Sequence, residues 1–196
     1  MSRTDKKMQT RQRILDAAGR GFRKGGFGGV GVDGLAKEAG VTSGAFYVHF
    51  DSKVAAFRES IVQGMSDVNR AIRQFQTEHG GAWWPTFVRF YLGTKRTCDL
   101  SESCGLQSLT PEVARSDATS RAAFEAELLK VATTIAAGPA STDAPSDVES
   151  AWAALATLIG AVTLARAVND PTLAEQIATA AERALLPSLV IKNKTA

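Results

Sequence analysis

The chain has 196 residues, a length that fits one or two compact domains and excludes a large multidomain assembly. Hydrophobic residues make up 44% of it and charged residues 22%, which are ordinary globular averages and exclude a disordered or fibrous chain. The formal net charge of +3 is unevenly placed, because residues 1–60 carry a net +5 and residues 61–196 a net −2. A basic segment joined to a near-neutral one is typical of a polyanion-binding module, although a solvated helix face gives the same pattern.

The cysteine content and the N-terminal residues bear on the cellular compartment. Cys98 and Cys104 are too few, and wrongly spaced, for a disulfide framework or a zinc site. Residues 1–7 are polar and lack the apolar segment of a secretory signal. We therefore expect a cytoplasmic protein with no structural metal and no cofactor. The most lipid-like stretch, Ala151 to Val168, is rich in alanine and contains Arg166, so it predicts a buried helix, with a membrane span as the alternative.

Helical spacing of apolar residues predicts four helices in the first half of the chain. They run from Gln9 to Lys24, Val32 to Ala39, Ser43 to about Phe50, and about Lys53 to Glu78. The glycine-rich run 25–29 ends the first helix, and Gly40 suits a left-handed turn after the second. Thr42 or Ser43 can cap the third helix.

The second half of the chain is predicted to be helical as well. The expected helices are Ala82 to Thr97, Glu112 to Ala137, Val148 to Asn169 and Pro171 to Ile191. Residues 138–146 form a turn-rich break, and residues 99–110 give no clear pattern. No segment shows the sustained alternation of a strand, so the predicted fold is all-α.

Two short helices joined through Gly40, with small residues where they must cross closely, fit a helix-turn-helix motif. The preceding basic helix completes a three-helix unit. In such a unit the second short helix enters the major groove, where small side chains permit close approach and hydroxyl or imidazole groups contact phosphates or base edges. The candidate DNA-binding residues on this helix are Thr42, Ser43, Gly44, Ala45, Tyr47 and His49.

The string LAKEAGVTSGAFYVHFDSK, from Leu35 to Lys53, resembles the DNA-binding signature of the TetR family of transcriptional regulators. The resemblance covers roughly residues 9–60, and the helical remainder is similar in layout to that family's ligand-binding and dimerisation domain. It implies a helix-turn-helix domain over residues 1–52 and a C-terminal domain over residues 53–196.

The resemblance also implies roles for single residues. Those expected to contact the DNA backbone are Thr42, Tyr47, His49 and Lys53. Those expected near bases are Ser43, Gly44 and Ala45, while Phe46 and Phe50 would be core. Four positions depart from the family's pattern. Members often carry a hydroxyl residue at or near Val30 and a helix-capping residue at Gly31. They often carry a basic residue at Ser43 and a histidine at Val48. These departures bear on the operator sequence more than on DNA binding itself, since Gly31 can still serve as an N-cap.

Aromatic side chains are concentrated in the middle of the chain, and most of them must be core. The resemblance implies that a subset faces a cavity for a small, largely apolar molecule. The candidates for this pocket are Trp83, Phe87, Phe90, Tyr91, Cys104, Phe124, Leu128 and Trp152. Apolar and small residues at helical spacing over 148–190 predict a tight helix pair, and the resemblance implies that two such pairs form a homodimer interface.

Together these features predict a ligand-responsive, dimeric transcriptional repressor that is not an enzyme. Its partners would be a pseudo-palindromic operator in double-stranded DNA, a small effector molecule and a second copy of the chain, without a membrane. Three alternatives stay open: a thiol-based redox or electrophile sensor that uses Cys98 or Cys104, a helical enzyme built on the same cysteines, and a helical scaffold without a ligand.

Overall fold

The computed structural model describes residues 2–188, which contain nine α-helices, two short 3-10 turns and no β-strand. The all-α fold predicted from the sequence is confirmed. The helices are α1 (Arg3–Gly29), α2 (Val32–Glu38), α3 (Ser43–His49), α4 (Lys53–His79), α5 (Trp83–Thr97), α6 (Gly105–Ala114), α7 (Ala118–Ala136), α8 (Val148–Ala167) and α9 (Pro171–Leu185). The 3-10 turns are Gly80–Ala82 and Leu100–Glu102.

The first helix starts earlier than the predicted Gln9. The N–H of Asp5 donates to the Ser2 hydroxyl at 3.0 Å, and the N–H of Ser2 donates to the Asp5 carboxylate at 2.8 Å. This capping box satisfies backbone groups that would otherwise lack partners, so the helix begins at Arg3. At its other end Gly26 has a φ of 70°, which interrupts the helix within the predicted glycine-rich run.

The single helix predicted from Glu112 to Ala137 is wrong, because α6 and α7 are separate helices. Asp117 lies in the gap and accepts hydrogen bonds from the Ser120 N–H at 2.9 Å and from the Ser120 hydroxyl at 2.7 Å. A side chain that caps a helix start competes with helix continuation through the same point. The segment 99–110, which shows no clear pattern in the sequence, holds a 3-10 turn and most of α6.

The last two helices begin where the sequence predicted, at Val148 and Pro171. Asp147 accepts from the Ser150 N–H at 2.7 Å, and Asp170 accepts from the Thr172 N–H at 2.8 Å, so each helix has a capping carboxylate. The helices end at Ala167 and Leu185. The predicted end of the last helix at Ile191, and the last residues of the 148–190 dimer segment, lie outside the described residues.

The chain divides into two compact units, and the first comprises residues 1–65 and 99–125. An aromatic cluster fills its core, where the ring of Phe57 meets those of Phe22 and Phe27 at centroid distances of 5.2 and 5.1 Å. Helix α6 belongs to this unit and packs on α1, and its Glu112 carboxylate accepts from the Phe27 N–H at 3.4 Å. The domain boundary predicted after residue 52 stays a prediction.

The second unit comprises residues 66–98 and 126–196, of which the described part ends at 188. Trp83 and Trp84 are fully buried in it, and the Trp83 indole donates to the Pro139 carbonyl at 2.9 Å. Within the described residues α8 is the one helix long and apolar enough to cross a membrane. It packs against α5 and α9 and buries Leu155, Leu158 and other side chains, which matches the predicted buried helix.

Candidate nucleic-acid interface

The turn between α2 and α3 is constrained by the backbone of its own glycine and by an arginine of α1. Gly40 has a φ of 67°, and a Cβ at this position would lie 2.8 Å from a guanidinium nitrogen of Arg13. The same guanidinium donates to the Ala39 carbonyl at 2.5 Å, which ties α1 to the turn. Thr42 caps α3 by accepting from the Ala45 N–H at 3.2 Å. The sequence therefore builds a helix-turn-helix in which α1 holds the turn and Thr42 caps the start of α3.

One face of α3 is core and the other is open to solvent. Phe46 and Phe50 are buried, as expected, whereas Tyr47 is 55% exposed. Of the other candidate residues Thr42 and Gly44 are exposed, and Ser43, Ala45 and His49 are half-buried. A short helix that shows small residues at its start and an aromatic hydroxyl one turn later can approach a groove closely.

Lys53, the last candidate DNA-binding residue, opens helix α4 in the same unit. Its side chain is half-buried, and Nζ lies 4.4 Å from the centroid of the Phe27 ring. A lysine held over an aromatic face keeps its charge at a defined place. Lys53 thereby offers a positioned cation next to the end of α3.

The basic side chains of α1 are partly used inside the protein. Arg11 donates to both carboxylate oxygens of Glu59, at 2.6 and 2.5 Å, and Arg20 donates to Glu38 at 2.7 Å. The exposed lysines Lys6 and Lys7 remain on the outside of the first turns of α1. The basic character read from the sequence is therefore divided between structural ion pairs and an exposed N-terminal end.

His49 lies beside this basic end. Burial, and then the positive charges of Lys7 and Arg11, hold the pKa of His49 below its usual 6.5. Its Nδ1 atom is buried without a hydrogen-bond partner among the described residues. A phosphate close to the ring would favour the protonated form, so the charge of the His49 imidazole would respond to a bound anion.

Two features of this surface were missed from the sequence. The hydroxyl of Ser43 donates a hydrogen bond to the carboxylate of Asp33, an exposed residue of α2. Val48 is 68% exposed on α3, although the sequence offered it only as a departure from a family pattern. Helical spacing could not find the first, because it depends on how α2 crosses α3. The exposure of Val48 does follow from that spacing, since Val48 lies two residues from the buried Phe46 and Phe50, but its apolar side chain gave no reason to single it out.

The predicted pocket residues fall into different parts of the molecule. Cys104 and Phe124 belong to the first unit, and the other six belong to the second. There Phe87, Phe90 and Tyr91 join a ring cluster in which Phe75 lies 5.5 Å from Phe87 and 5.2 Å from Phe90. Trp83 is fully buried, and Leu128 and Trp152 are half-buried.

A cleft of about 380 Å³ lies elsewhere in the second unit and shares none of the eight predicted residues. Its walls come from the loop before α8, the first half of α8 and the end of α9, and they include Ala153, Ala154 and Leu185. Trp84 also lines it, and the indole nitrogen of Trp84 is buried without a hydrogen-bond partner among the described residues. An unpaired buried donor is costly, and a ligand acceptor would relieve that cost if movement of the surrounding side chains let it reach the nitrogen.

The two cysteines differ in their surroundings. Cys104 is buried at the start of α6, and Cys98 is half-buried at the end of α5. A guanidinium nitrogen of Arg166 lies 3.3 Å from the Cys98 sulfur and donates to the carbonyl of Cys98 at 3.0 Å. Within residues 2–188 no group of three His, Cys, Asp or Glu side chains could hold a metal ion.

Comparison with known proteins agrees with this geometry. The sequence model of the family described as bacterial regulatory proteins, tetR family, matches residues 14–59, which span the helix-turn-helix. An uncharacterized HTH-type transcriptional regulator, YdgC of Bacillus subtilis strain 168, is 36% identical over 75 residues. That alignment covers 38% of this chain and 38% of the relative, so the likeness in sequence spans little more than a third of either protein.

Two solved structures extend the likeness to the fold of most of the chain. The reduced form of NemR from E. coli superposes with a TM-score of 0.71 at 18% identity and covers 90% of this chain and 95% of its own. A TetR-family transcriptional regulator from Agrobacterium tumefaciens gives the same score and identity and covers 90% and 97%. The resemblance stated from the sequence is confirmed over residues 14–59, which match the tetR-family model, and the fold of most of the chain is similar to that of the TetR-family regulator from Agrobacterium tumefaciens.

Proposed function

We propose that the protein is a ligand-responsive transcriptional repressor that binds a pseudo-palindromic operator through α3. The single observation that carries this is the solvent-facing side of α3, where Thr42, Gly44 and Tyr47 are exposed beside the positioned charge of Lys53. Ser43, Gly44 and Ala45 would lie near bases. Thr42, Tyr47, His49 and Lys53 would contact phosphates, which fix the register of the protein on the duplex.

Binding to a pseudo-palindrome requires two copies of α3. Helices α8 and α9 expose apolar side chains, with Leu164 at 60% and Leu173 at 42%, while Ile159 and Ile177 are half-buried. An apolar surface on a helix pair favours a four-helix interface with a second copy. The proposed homodimer uses residues 148–190 and would place two recognition helices about 34–36 Å apart, one turn of DNA.

The proposed effector is a small, largely apolar molecule bound in the C-terminal domain. The aromatic residues predicted from the sequence remain candidates for its pocket, and the cleft beside Trp84 is a second place for it. In that cleft the apolar walls suit a hydrocarbon body and the unpaired indole N–H suits one acceptor oxygen. A regulator of this kind acts on DNA in the cytoplasm, which also suits its two free cysteines.

The DNA proposal is tested by selection from a pool of randomised duplexes. We expect the wild-type protein to enrich a sequence with two symmetry-related half-sites, and sequencing of the bound fraction checks this. A matched control carries Tyr47→Ala, at an exposed position whose loss leaves the core of the unit intact. Enrichment of no sequence, or equal enrichment by wild type and variant, would contradict the proposed function.

The cleft is tested with cyclohexanone, which carries one acceptor oxygen on an apolar body. We expect it to shift the NMR signal of the Trp84 indole N–H, and Trp84→Phe to identify that signal by its loss. Ala153→Phe fills the cleft and should abolish the shift, whereas Ala156→Phe, at an exposed position of α8 outside the cleft, should leave it. A shift that survives Ala153→Phe would exclude the cleft as the site.

A second candidate function is a thiol-based sensor of oxidants or electrophiles. The observation that favours it is the contact of Arg166 with Cys98, where a guanidinium nitrogen lies 3.3 Å from the sulfur and would meet any group attached to it. Arg166 also donates to the carbonyls of Lys95 and Cys98, so it joins the end of α8 to the end of α5. A modified Cys98 would disturb this junction.

A further inference from the structure

The hydrogen bond between Ser43 and Asp33 places an acidic group on the proposed DNA-binding surface. Asp33 lies in the first turn of α2 and Ser43 is the first residue of α3, so the bond joins the two helices of the motif. The Asp33 side chain is exposed, and none of the ion pairs found in the described part of the chain includes it. The hydroxyl of Ser43 is the donor, so its single hydrogen is already used.

A carboxylate at this position opposes binding to the phosphate backbone. DNA attracts proteins mainly through lysine and arginine, and an acid on the same surface lowers the affinity for every sequence. Glu38, the other acid of α2, has its charge balanced by Arg20 at 2.7 Å. Asp33 has no such ion pair among residues 2–188, and besides the Ser43 hydroxyl only the N-terminus of α2 stabilises its charge, so a hydrogen-bond donor of the DNA would offset the remaining cost.

The major groove offers a donor of this kind on cytosine. The exocyclic amine at N4 donates, and aspartate or glutamate is the side chain that accepts from it. Guanine and thymine present acceptors that would repel a carboxylate, and adenine has the acceptor N7 beside its N6 donor. The fixed bond from Ser43 takes up one position around the carboxylate and leaves the remaining lone pairs in a defined direction.

We propose that Asp33 is a specificity-determining residue that accepts a hydrogen bond from cytosine N4 in each half-site of the operator, and that Ser43 positions it. The inference rests on the proposed DNA-binding function. It changes the expected role of Ser43, which acts through Asp33 instead of donating to a base itself.

The test compares the sequences that wild type and variants select from the same randomised duplex pool. We expect the wild type to prefer cytosine at one position of each half-site by about tenfold, the size of a good base contact. Asp33→Asn should move that preference to adenine, because an amide can both accept from N6 and donate to N7. Glu38→Gln, which removes the same charge from the end of α2 that pairs with Arg20, should leave the selected sequence unchanged.

Ser43 is tested as a positioning residue by removal and rescue. Ser43→Ala should weaken the cytosine preference several-fold without a new preferred base, and Ser43→Thr, which keeps the hydroxyl, should restore it. A selected sequence that is the same for wild type and Asp33→Asn would overturn the proposal. Failure of the wild type to select any sequence would instead contradict the DNA-binding function, so the two failures are distinguishable.

Discussion

The backbones of Gly64 on α4 and Gly105 on α6 lie in direct contact within the first unit. A Cβ on Gly105 would lie 3.2 Å from the Cα of Gly64 and 3.5 Å from its carbonyl carbon. Because the neighbouring atoms are backbone, the added methyl group must push the two helices apart. We expect Gly105→Ala to lower the free energy of unfolding by about 1–3 kcal/mol, measured by urea denaturation.

Gly93 on α5 provides the matched control for this prediction. A Cβ there would meet no atom within 4 Å, so Gly93→Ala should stabilise the protein by about 0.5–1 kcal/mol through its helix preference alone. Equal changes in the free energy of unfolding for the two substitutions would show that the close contact of α4 with α6 does not affect stability.

We expect the charge of Lys53 to contribute to the salt dependence of DNA binding. Lys53→Ala should weaken binding to all sequences and reduce the slope of log affinity against log salt by about 1, since one phosphate contact is lost. Tyr47→Phe should also weaken binding but leave the slope, because it removes a hydroxyl and no charge. Arg70→Ala, at an exposed position further along α4, should change neither quantity. An unaltered slope in Lys53→Ala would remove Lys53 from the phosphate contacts.

His49 should give DNA binding a pH dependence. Its pKa lies below 6.5 in the free protein because of burial and of the charges of Lys7 and Arg11, and a phosphate beside the ring would raise it. Binding then takes up a proton, so the affinity should increase as the pH falls below 6.5. His49→Gln should remove this increase, whereas His79→Gln, at the end of α4, should leave it.

The same residue acts in the opposite direction on the stability of the free protein. Because the folded pKa of His49 lies below the unfolded value, the unfolded state binds more protons below pH 6.5. Unfolding should therefore become easier as the pH falls through this range, and His49→Gln should reduce that loss. A variant with the pH profile of the wild type in both measurements would contradict the assignment.

Local sequence signals predicted the helix-turn-helix well because each depends on residues that lie close together in the chain. Gly40 adopts the left-handed turn, Thr42 caps α3, and the spacing of Phe46 and Phe50 places both in the core. The start of α1 was missed because the box of Ser2 and Asp5 is polar and precedes the apolar pattern that marks a helix.

The parts that could not be predicted depend on contacts between distant segments. The bond of Ser43 to Asp33 and the unpaired indole of Trp84 follow from how helices cross, which spacing within one helix does not determine. Aromatic content pointed to a pocket in the middle of the chain, but the same side chains also build the ring cluster around Phe75.

The dimer is tested by placing charge on its proposed interface. Ile159→Glu on α8 or Ile177→Glu on α9 should give a monomer, because burying an unpaired carboxylate in an apolar interface is costly. Light scattering of the wild type at micromolar concentration should give the mass of two chains. Leu129→Glu, at a 55% exposed position of α7, is the control and should remain dimeric. A wild type that is monomeric under these conditions would exclude the interface.

The final prediction separates a non-covalent effector from a thiol sensor. Cys104 is 7% exposed and behaves as a small buried apolar residue, whereas Cys98 is half-buried and its sulfur lies 3.3 Å from Arg166. We expect Cys98→Ser and Cys104→Ser to bind DNA like the wild type. We also expect benzoquinone or peroxide to leave the complex of wild type and DNA intact, because the proposed effector acts without a covalent bond. The measurement is retention of the selected operator after treatment, followed by gel shift.

Modification of Cys98 would give the opposite result. The Cys98 thiolate would add to a ring carbon of the quinone, which becomes a hydroquinone thioether as one oxygen takes a proton from solvent and the other takes the proton lost from the attacked carbon. The bulky adduct would then displace Arg166 from the carbonyls at the end of α5. The wild type and Cys104→Ser would then release DNA while Cys98→Ser retained it, and the junction of α5 with α8 would be the switch.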